Sequence, residues 1–380
     1  MGAVIVEAVR SAVGKRKGGL AGVHPADLSA DVLSGLVTKA GLDPAAVEDV
    51  IWGCVTQGGE QAGDIARTAA LSAGFPETVN GVTIDRQCGS SQQALSFAVA
   101  VVEAGHHDVI IAGGVESMTR VPMGSHISAE SFPYGQKFLD RYNGIAPNQG
   151  IGAEMIAERW GFSRTQLDEF AVSSHEKAAA AQDAGFFADH IVPVTTPDGV
   201  FDTDEGIRRG STVETLGGLK TPFKEDGVVS AGNASQISDG ASAILVMSEE
   251  AAAKHGLKPI ARVHTATLAG DDPVIMLTAP IPATAKALAK SGLSIDYIGT
   301  FEVNEAFASV PMAWLAETGA DPVKLNPNGG AIALGHPLGG SGGRLMSDMI
   351  AHMRNQGIKY GLQTMCEGGG QANATIIELL

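Results

Sequence analysis

Two cysteines, a histidine and an asparagine stand at breaks in the chain's pattern, where one element should hand over to the next. In "RQCGSSQQAL" (residues 86–95), Cys88 follows a short apolar stretch and precedes a helix-forming run. A thiol at a helix N-terminus faces oriented backbone N–H groups, which stabilise the thiolate and lower its pKa. Taken alone, Cys88 reads better as a buried structural residue, because free cysteine is among the most buried residue types. The glycine-rich segment "NPNGGAIALGHPLGGSGGR" (326–344) carries His336, and imidazole is the usual base for activating a thiol. In "MCEGGGQANA" (365–374), Cys366 precedes three glycines whose loop N–H groups are free to bind an anion. In "FEVNEAFAS" (301–309), Asn304 closes a predicted strand and Glu305 begins a predicted helix. Such an asparagine is either a helix cap or a clamp on a water or carbonyl oxygen. One cysteine could serve as nucleophile and the other as acid/base.

These residues need a scaffold, and a weak internal repeat supplies one. "KAGLDPAAVEDVIWG" (39–53) and "KSGLSIDYIGTFEVN" (290–304) both read as a helix end, a Gly-Leu turn and a strand. The repeat aligns Asn304 with Gly53. A second correspondence follows the reactive residues. After Cys88 a helix to about Ala104 leads to a strand at 109–112 and then Gly113-Gly114. After His336 a helix to about Gln356 leads to a strand at 362–365 and then Cys366. Strands alternating with helices predict an α/β fold of two similar halves, with mixed, mostly parallel sheets covered by helices. Residues 1–119 with 231–259 form the expected first half and 260–380 the second. Residues 120–230 read as an inserted loop domain, whose helices include one with a capping box from Ser163 to Gln166.

Composition narrows the function. The 380 residues are 44% hydrophobic and only 5% aromatic, with 49 glycines, which suits an α/β enzyme with many tight turns. A net charge of −16 argues against nucleic acid or an anionic membrane surface as partner. Any anionic ligand would need a local basic patch. Cys54, Cys88 and Cys366 have no C-x-x-C spacing, so neither a disulfide framework nor a metal site is expected. With no signal-like start and no apolar run of about 20 residues, a soluble, cytoplasmic protein is expected.

Together the four segments resemble the thiolase family, whose pattern is C-G-S, N-E-A-F-A, G-G-A-I-A-x-G-H-P-x-G-x-S-G and C-x-G-G-G in this order. The resemblance covers nearly the whole chain and implies a thiolase-like layered fold of two αβα halves. It also implies acyl exchange between CoA thioesters, with acyl-CoA, acetyl-CoA and coenzyme A as substrates and no bound cofactor. In that reading Cys88 takes the acyl group, His336 activates it, and Cys366 moves the α-proton. One oxyanion site uses His336 with a water on Asn304, and the other uses the N–H groups of Cys88 and Gly368. Ala234 and Ser235, in "AGNAS", would lie along the pantetheine, and Lys220 and Arg208 would face the nucleotide phosphates. Assembly as a homodimer or homotetramer is implied, with residues 121–144 as the bridging loop.

"NQGIGAEM", "CEGGGQANA" and the Ser-Gln-Gln after Cys88 depart from the short-chain biosynthetic pattern. They look like the degradative branch, including actinobacterial thiolases of sterol breakdown. The alternatives are a biosynthetic acetoacetyl-CoA thiolase, a ketoacyl synthase (which would carry a histidine in place of Cys366) and a non-catalytic acyl-CoA carrier.

Overall fold

A computed structural model describes residues 2–127 and 132–380. The first half begins with β1 (Ala3–Ser11), β2 (Gly14–Lys15), α1 (Pro25–Ala40) and β3 (Asp49–Gly53). It continues through α2 (Ile65–Ser72), β4 (Asn80–Ile84), α3 (Ser90–Glu103) and β5 (Val109–Ser117). A long excursion follows, carrying α4 (Gln136–Arg141), α5 (Gln149–Trp160), α6 (Arg164–Asp183) and β6 (Ile191–Val192). It ends with the hairpin β7 (Val194–Thr196) and β8 (Gly199–Phe201), then α7 (Val213–Gly217). The chain returns to the first half as β9 (Ser238–Ser248) and α8 (Glu249–Lys254). The second half holds β10 (Ala261–Gly270), α9 (Pro280–Ser291), β11 (Thr300–Val303), α10 (Ser309–Thr318) and α11 (Ala331–Leu334). It closes with α12 (Leu338–Gln356), β12 (Tyr360–Glu367) and β13 (Gln371–Leu379).

The repeat seen in the sequence is a repeat of structure. α1 and α9 both end at a left-handed glycine, Gly41 (φ 71°) and Gly292 (φ 73°), where a side chain would be strained. Each is followed by a short 3-10 turn and a strand, β3 or β11. The strand order is also duplicated: β1-β9-β5-β3 in one half and β10-β13-β12-β11 in the other. The expected mixed sheet is present, but antiparallel pairs outnumber parallel ones: β3 with β4, β3 with β5 and β11 with β12 lie toward the two edges, and the short β6 pairs parallel with the end of β1. Its centre is antiparallel, because β9 and β13 return beside the first strand of each half. The half-sheets join through the Ile5–Ala261 pair.

Helices cover both outer faces and fill the space between the halves. α1 and α2 pack on one face through Leu28, Leu33, Leu36 and Ala69, against Val4, Val50 and Ile111. α9 supplies Ala283 and Ala287 to the core beside Phe301 and Ile376. In the middle layer, Leu95, Ala98 and Val102 of α3 meet Met346, Met349 and Met353 of α12. α12 is buried along its whole first part, from Leu338 to Ile350. Asp348 of α12 is held there by Arg10 Nε at 2.8 Å, His190 Nε2 at 2.8 Å and Arg344 Nη1 at 2.9 Å. The excursion shares a core with the second half: Ala153, Ile156 and Leu167 pack with Val310, Ile332 and Cys366. The Ser163–Gln166 capping box is formed.

Two local expectations are corrected. Gly113 and Gly114 do not open a loop, because β5 continues through them to Ser117. They are glycine for lack of space: a Cβ on Gly114 would fall 2.1 Å from the Gly339 carbonyl, and one on Gly113 would fall 2.4 Å from Trp52. Glu305 does not begin a helix; α10 starts at Ser309. Glu305 is instead buried, accepting from Ser174 Oγ at 2.6 Å and Asn326 Nδ2 at 2.9 Å, so residues 304–308 run as a fixed loop.

The approach of α12 to the first half-sheet is the tightest in the molecule's centre. A Cβ on Gly339 would meet three backbone atoms, Val115 O at 2.4 Å, Gly53 O at 2.6 Å and Cys54 Cα at 2.8 Å. Gly339→Ala is therefore expected to cost about 2 kcal/mol or more by overpacking. Gly217→Ala, in open space on α7, should stay within about 0.5 kcal/mol. Thermal unfolding of the two variants checks the difference.

Candidate active site

Cys88 follows β4 through a strained turn. Gln87 has φ 48°, unusual for a residue with a side chain. Its N–H donates to Asp85 Oδ1 at 2.6 Å, and its carbonyl accepts the Ser90 N–H at 3.0 Å. This turn holds Cys88 at the mouth of α3, in an apolar cluster with Val55, Met118, Leu338 and Met365.

His336 reaches the same place from the other half. It follows Gly335 (φ 93°) and precedes α12 by two residues, as Cys88 precedes α3. Its N–H donates to Ser238 Oγ at 3.0 Å. Ser341 Oγ donates to the Pro337 carbonyl at 2.8 Å and lies 2.6 Å from His336 Nδ1. With its proton committed, that hydroxyl accepts from Nδ1–H, which leaves the lone pair on Nε2. Nε2 lies 3.4 Å from Asn304 Nδ2, and the same amide reaches Cys366 Sγ at 4.0 Å. The Asn304 amide thus lies between the imidazole and the second thiol. It is not a helix cap.

Burial sets the protonation states. The Cys88 thiol is pushed well up by desolvation, then by Cys366 and Glu367. Its own backbone N–H and the Gln149 side chain favour the thiolate and oppose this rise. The expected lowering by the helix terminus is therefore outweighed. Desolvation also pushes Cys366 up to about 12, with the Asn304 amide opposing. His336 is pushed down to about 3 by burial and by the Arg344 charge. At neutral pH the site holds neutral thiols and a neutral imidazole. It can accept a proton at Nε2 and give one from sulfur without carrying a resting charge.

A cleft of about 790 Å³ opens onto His336 and Gln149, walled by Met118, Phe223, Phe307 and Leu338. Ala234 and Ser235 line it, pinned to the 304–308 loop by the Ala234–Phe307 bridge and by Ser235 N–H to Ala306 O at 2.9 Å. Arg208 stands at its mouth, whereas Lys220 is exposed and outside the lining. The positive charge expected of Lys220 comes from Lys15 and Arg16, which sequence reasoning missed. The K-R-K run after β1 was the available signal. Gln149 was also missed, and its place at the start of α5, where Asn148 caps Gly150 and Ile151, gave no hint of Cys88. Gly368 lies beside Gln87: a Cβ there would fall 2.7 Å from Gln87 Oε1. Among the described residues, no helix is long and apolar enough to cross a membrane, and no group of three metal-ligating side chains forms.

Comparisons with known proteins agree on one family. Residues 3–250 match the thiolase N-terminal domain and 257–379 the thiolase C-terminal domain. The chain is 53% identical to steroid 3-ketoacyl-CoA thiolase FadA6 of Mycobacterium tuberculosis, over all of this chain and 94% of that one. It is 44% identical to a 3-ketoacyl-CoA thiolase of Photobacterium profundum, over 99% of this chain and 98% of the relative. The crystal structure of the Bacillus anthracis acetyl-CoA acetyltransferase superposes with a TM-score of 0.92 at 39% identity, covering 100% of this chain and 99% of that one. With both halves matched in sequence and in architecture, this chain belongs to the thiolase family.

Proposed function

We propose that this chain cleaves 3-ketoacyl-CoA with coenzyme A, giving acetyl-CoA and a shortened acyl-CoA through an acyl-Cys88 intermediate. The observation that carries this reading is the Asn304 amide lying between His336 Nε2 and Cys366 Sγ. It groups a base, an acid and an oxyanion donor at one place, beside the cleft that His336 lines. The names of the relatives support the degradative direction over acetoacetyl-CoA synthesis. A second thiol at Cys366 separates the chain from the ketoacyl synthase alternative, and the complete reactive set argues against a carrier.

In the proposed sequence His336 Nε2 takes the Cys88 proton and the thiolate sulfur attacks the 3-keto carbon. The resulting oxyanion sits between donors fixed in advance, and the C2–C3 bond then breaks. The electron pair leaves on C2 as the acetyl-CoA enolate, which takes the Cys366 proton. The thiol of a second coenzyme A gives its proton to the Cys366 thiolate and attacks the acyl-Cys88 carbonyl; the Cys88 sulfur leaves and recovers its proton from His336. One oxyanion site uses His336 with a water on Asn304; the other uses the Cys88 and Gly368 N–H groups. Such donors act strongly because the site excludes water and needs no reorganisation. Ala234 and Ser235 would border the pantetheine, and Lys15, Arg16 and Arg208 would meet the phosphates. This local basic mouth reconciles an anionic substrate with a chain of net charge −16.

The acyl group belongs to the proposal as well. The steroid thiolase at 53% identity makes a steroid-derived side-chain thioester the first acyl class to test. We further infer assembly into dimers, or into tetramers in which residues 121–144 bridge the dimers; of these, 128–131 lie outside the described residues. An aromatic run there, with Phe132 exposed and Tyr134, Phe138 and Tyr142 half-buried, packs ring to ring at 4.5–5.5 Å between centroids and suits a protein contact. A soluble cytoplasmic enzyme is consistent with the absence of any apolar helix of membrane-spanning length among the described residues.

Cys88→Ala is expected to abolish thiolysis of 3-ketoacyl-CoA. Cys366→Ala should still exchange acyl groups with acyl-CoA but fail to release acetyl-CoA. Thiolysis retained by Cys88→Ala would sink the reading. Asn304→Ala should lower kcat by about 10²–10³, measured by acetyl-CoA formation. Because His336 is already neutral above about pH 3, kcat/KM should show no histidine limb between about pH 5 and 7. Arg16→Ala with Arg208→Ala should raise KM for coenzyme A more than it lowers kcat and flatten the dependence of KM on ionic strength.

A further inference from the structure

Glu367 has no task in the chemistry above, yet it stands beside both thiols. Consecutive strand residues face opposite ways. At the end of β12, Cys366 packs with Ala153, Met276 and Phe307, while Glu367 faces the start of α3. A Cβ on Gly89 would fall 2.0 Å from Glu367 Oε1 and 2.7 Å from Asn373 Nδ2, so only glycine fits between this carboxyl and the Cys88 turn. The side chain is fully buried; among the described residues neither oxygen makes a well-formed hydrogen bond, and the Asn373 N–H is the one backbone donor that favours its charged form.

The internal repeat shows what a satisfied carboxylate looks like at this position. Glu116, at the matching place near the end of β5, accepts from the N–H groups of Val55, Thr56 and Gly339, each at 3.0 Å. It also accepts from Gln61 Nε2 at 2.8 Å. Glu116 therefore holds the start of α12 with a full set of donors, whereas Glu367, under the start of α3, has only the Asn373 N–H near it among the described residues. A dry carboxyl short of donors favours its neutral form.

We propose that Glu367 is a positioning residue that must be neutral for Cys88 to give up its proton, so that its ionisation turns acyl transfer off at alkaline pH. The proposal rests on Cys88 being the nucleophile. The charged and titratable groups facing Glu367 are Arg86 and Asp85 from the Cys88 turn, Cys88 itself, and Cys366 on its own strand. Arg86 directs Nη1 to Gln371 Oε1 at 2.7 Å rather than to this carboxyl. Burial pushes Glu367 up to about 8, with Arg86 and the Asn373 N–H opposing and Asp85 adding. Below that pH the Cys88 thiolate forms beside a neutral neighbour. Above it the carboxylate repels the thiolate, and both thiols are pushed further up.

The test compares kcat/KM for thiolysis across pH in wild type and Glu367→Gln, each normalised to its own rate near neutrality. Wild type should keep about one-tenth of its rate at about pH 9, and the glutamine variant more than about half. Coincident alkaline limbs would overturn the proposal. Infrared difference spectra add a readout independent of turnover: a neutral carboxyl band that titrates near pH 8 in wild type and is missing from Glu367→Ala supports it. No such band at neutral pH overturns it. Cys88→Ala separates the two ideas. If that variant turns over, the nucleophile reading falls. If it is inert and the two pH profiles coincide, only the role of Glu367 falls.

Discussion

The close passage of two buried helix starts, α3 and α12, between the half-sheets is the constraint on which the rest depends. Each helix belongs to one half of a duplicated fold, and each carries its reactive residue two positions before its first turn. The helices can meet only because side chains are absent where backbones touch. A Cβ on Gly342 would fall 2.4 Å from Gln92 N, and one on Gly53 would fall 2.7 Å from Ser91 N. Glycine therefore acts here by letting backbones approach; freedom of φ is not the issue at these positions. The same contact sets Cys88 and His336 each two positions before one of these helix starts, with Asn304 beside His336 and Cys366.

Burial has an electrostatic consequence for the chemistry. In a dry site the charged forms of sulfur and imidazole are both disfavoured, so the resting state is neutral. In the proposed reaction charge develops only along the path, where Asn304 and backbone N–H groups would receive it. This is the sense in which preorganised donors outweigh a resting thiolate. It also explains why a helix terminus alone is a poor guide to cysteine reactivity, since its modest field competes with complete desolvation.

Much of this was legible in the sequence. The repeat was visible because helix ends, 3-10 turns and strands carry local signals, such as Gly41 and Gly292 at equivalent turns. Cys88, His336, Cys366 and Asn304 were visible because glycine-rich, turn-prone surroundings marked them. Pairing direction was less legible: β9 and β13 return antiparallel through contacts distant in sequence. Gly113 and Gly114 looked like a loop because a close backbone neighbour leaves the same mark as a turn. Lys15, Arg16 and Gln149 were missed because their places depend on how the excursion folds back over the first half, which no local pattern encodes. Glu367 carries no local signal beside its glycine loop; only its dry, donor-poor surroundings among the described residues set it apart.

The central claim is that Cys88 alone carries the acyl group between the two half-reactions. The most direct measurement is peptide mass analysis of the wild-type protein quenched after mixing with 3-ketoacyl-CoA and no free coenzyme A. The account predicts one acyl increment on the peptide containing Cys88, matched by one equivalent of acetyl-CoA. An increment on the Cys366 peptide, or acetyl-CoA release with no labelled cysteine, would contradict it.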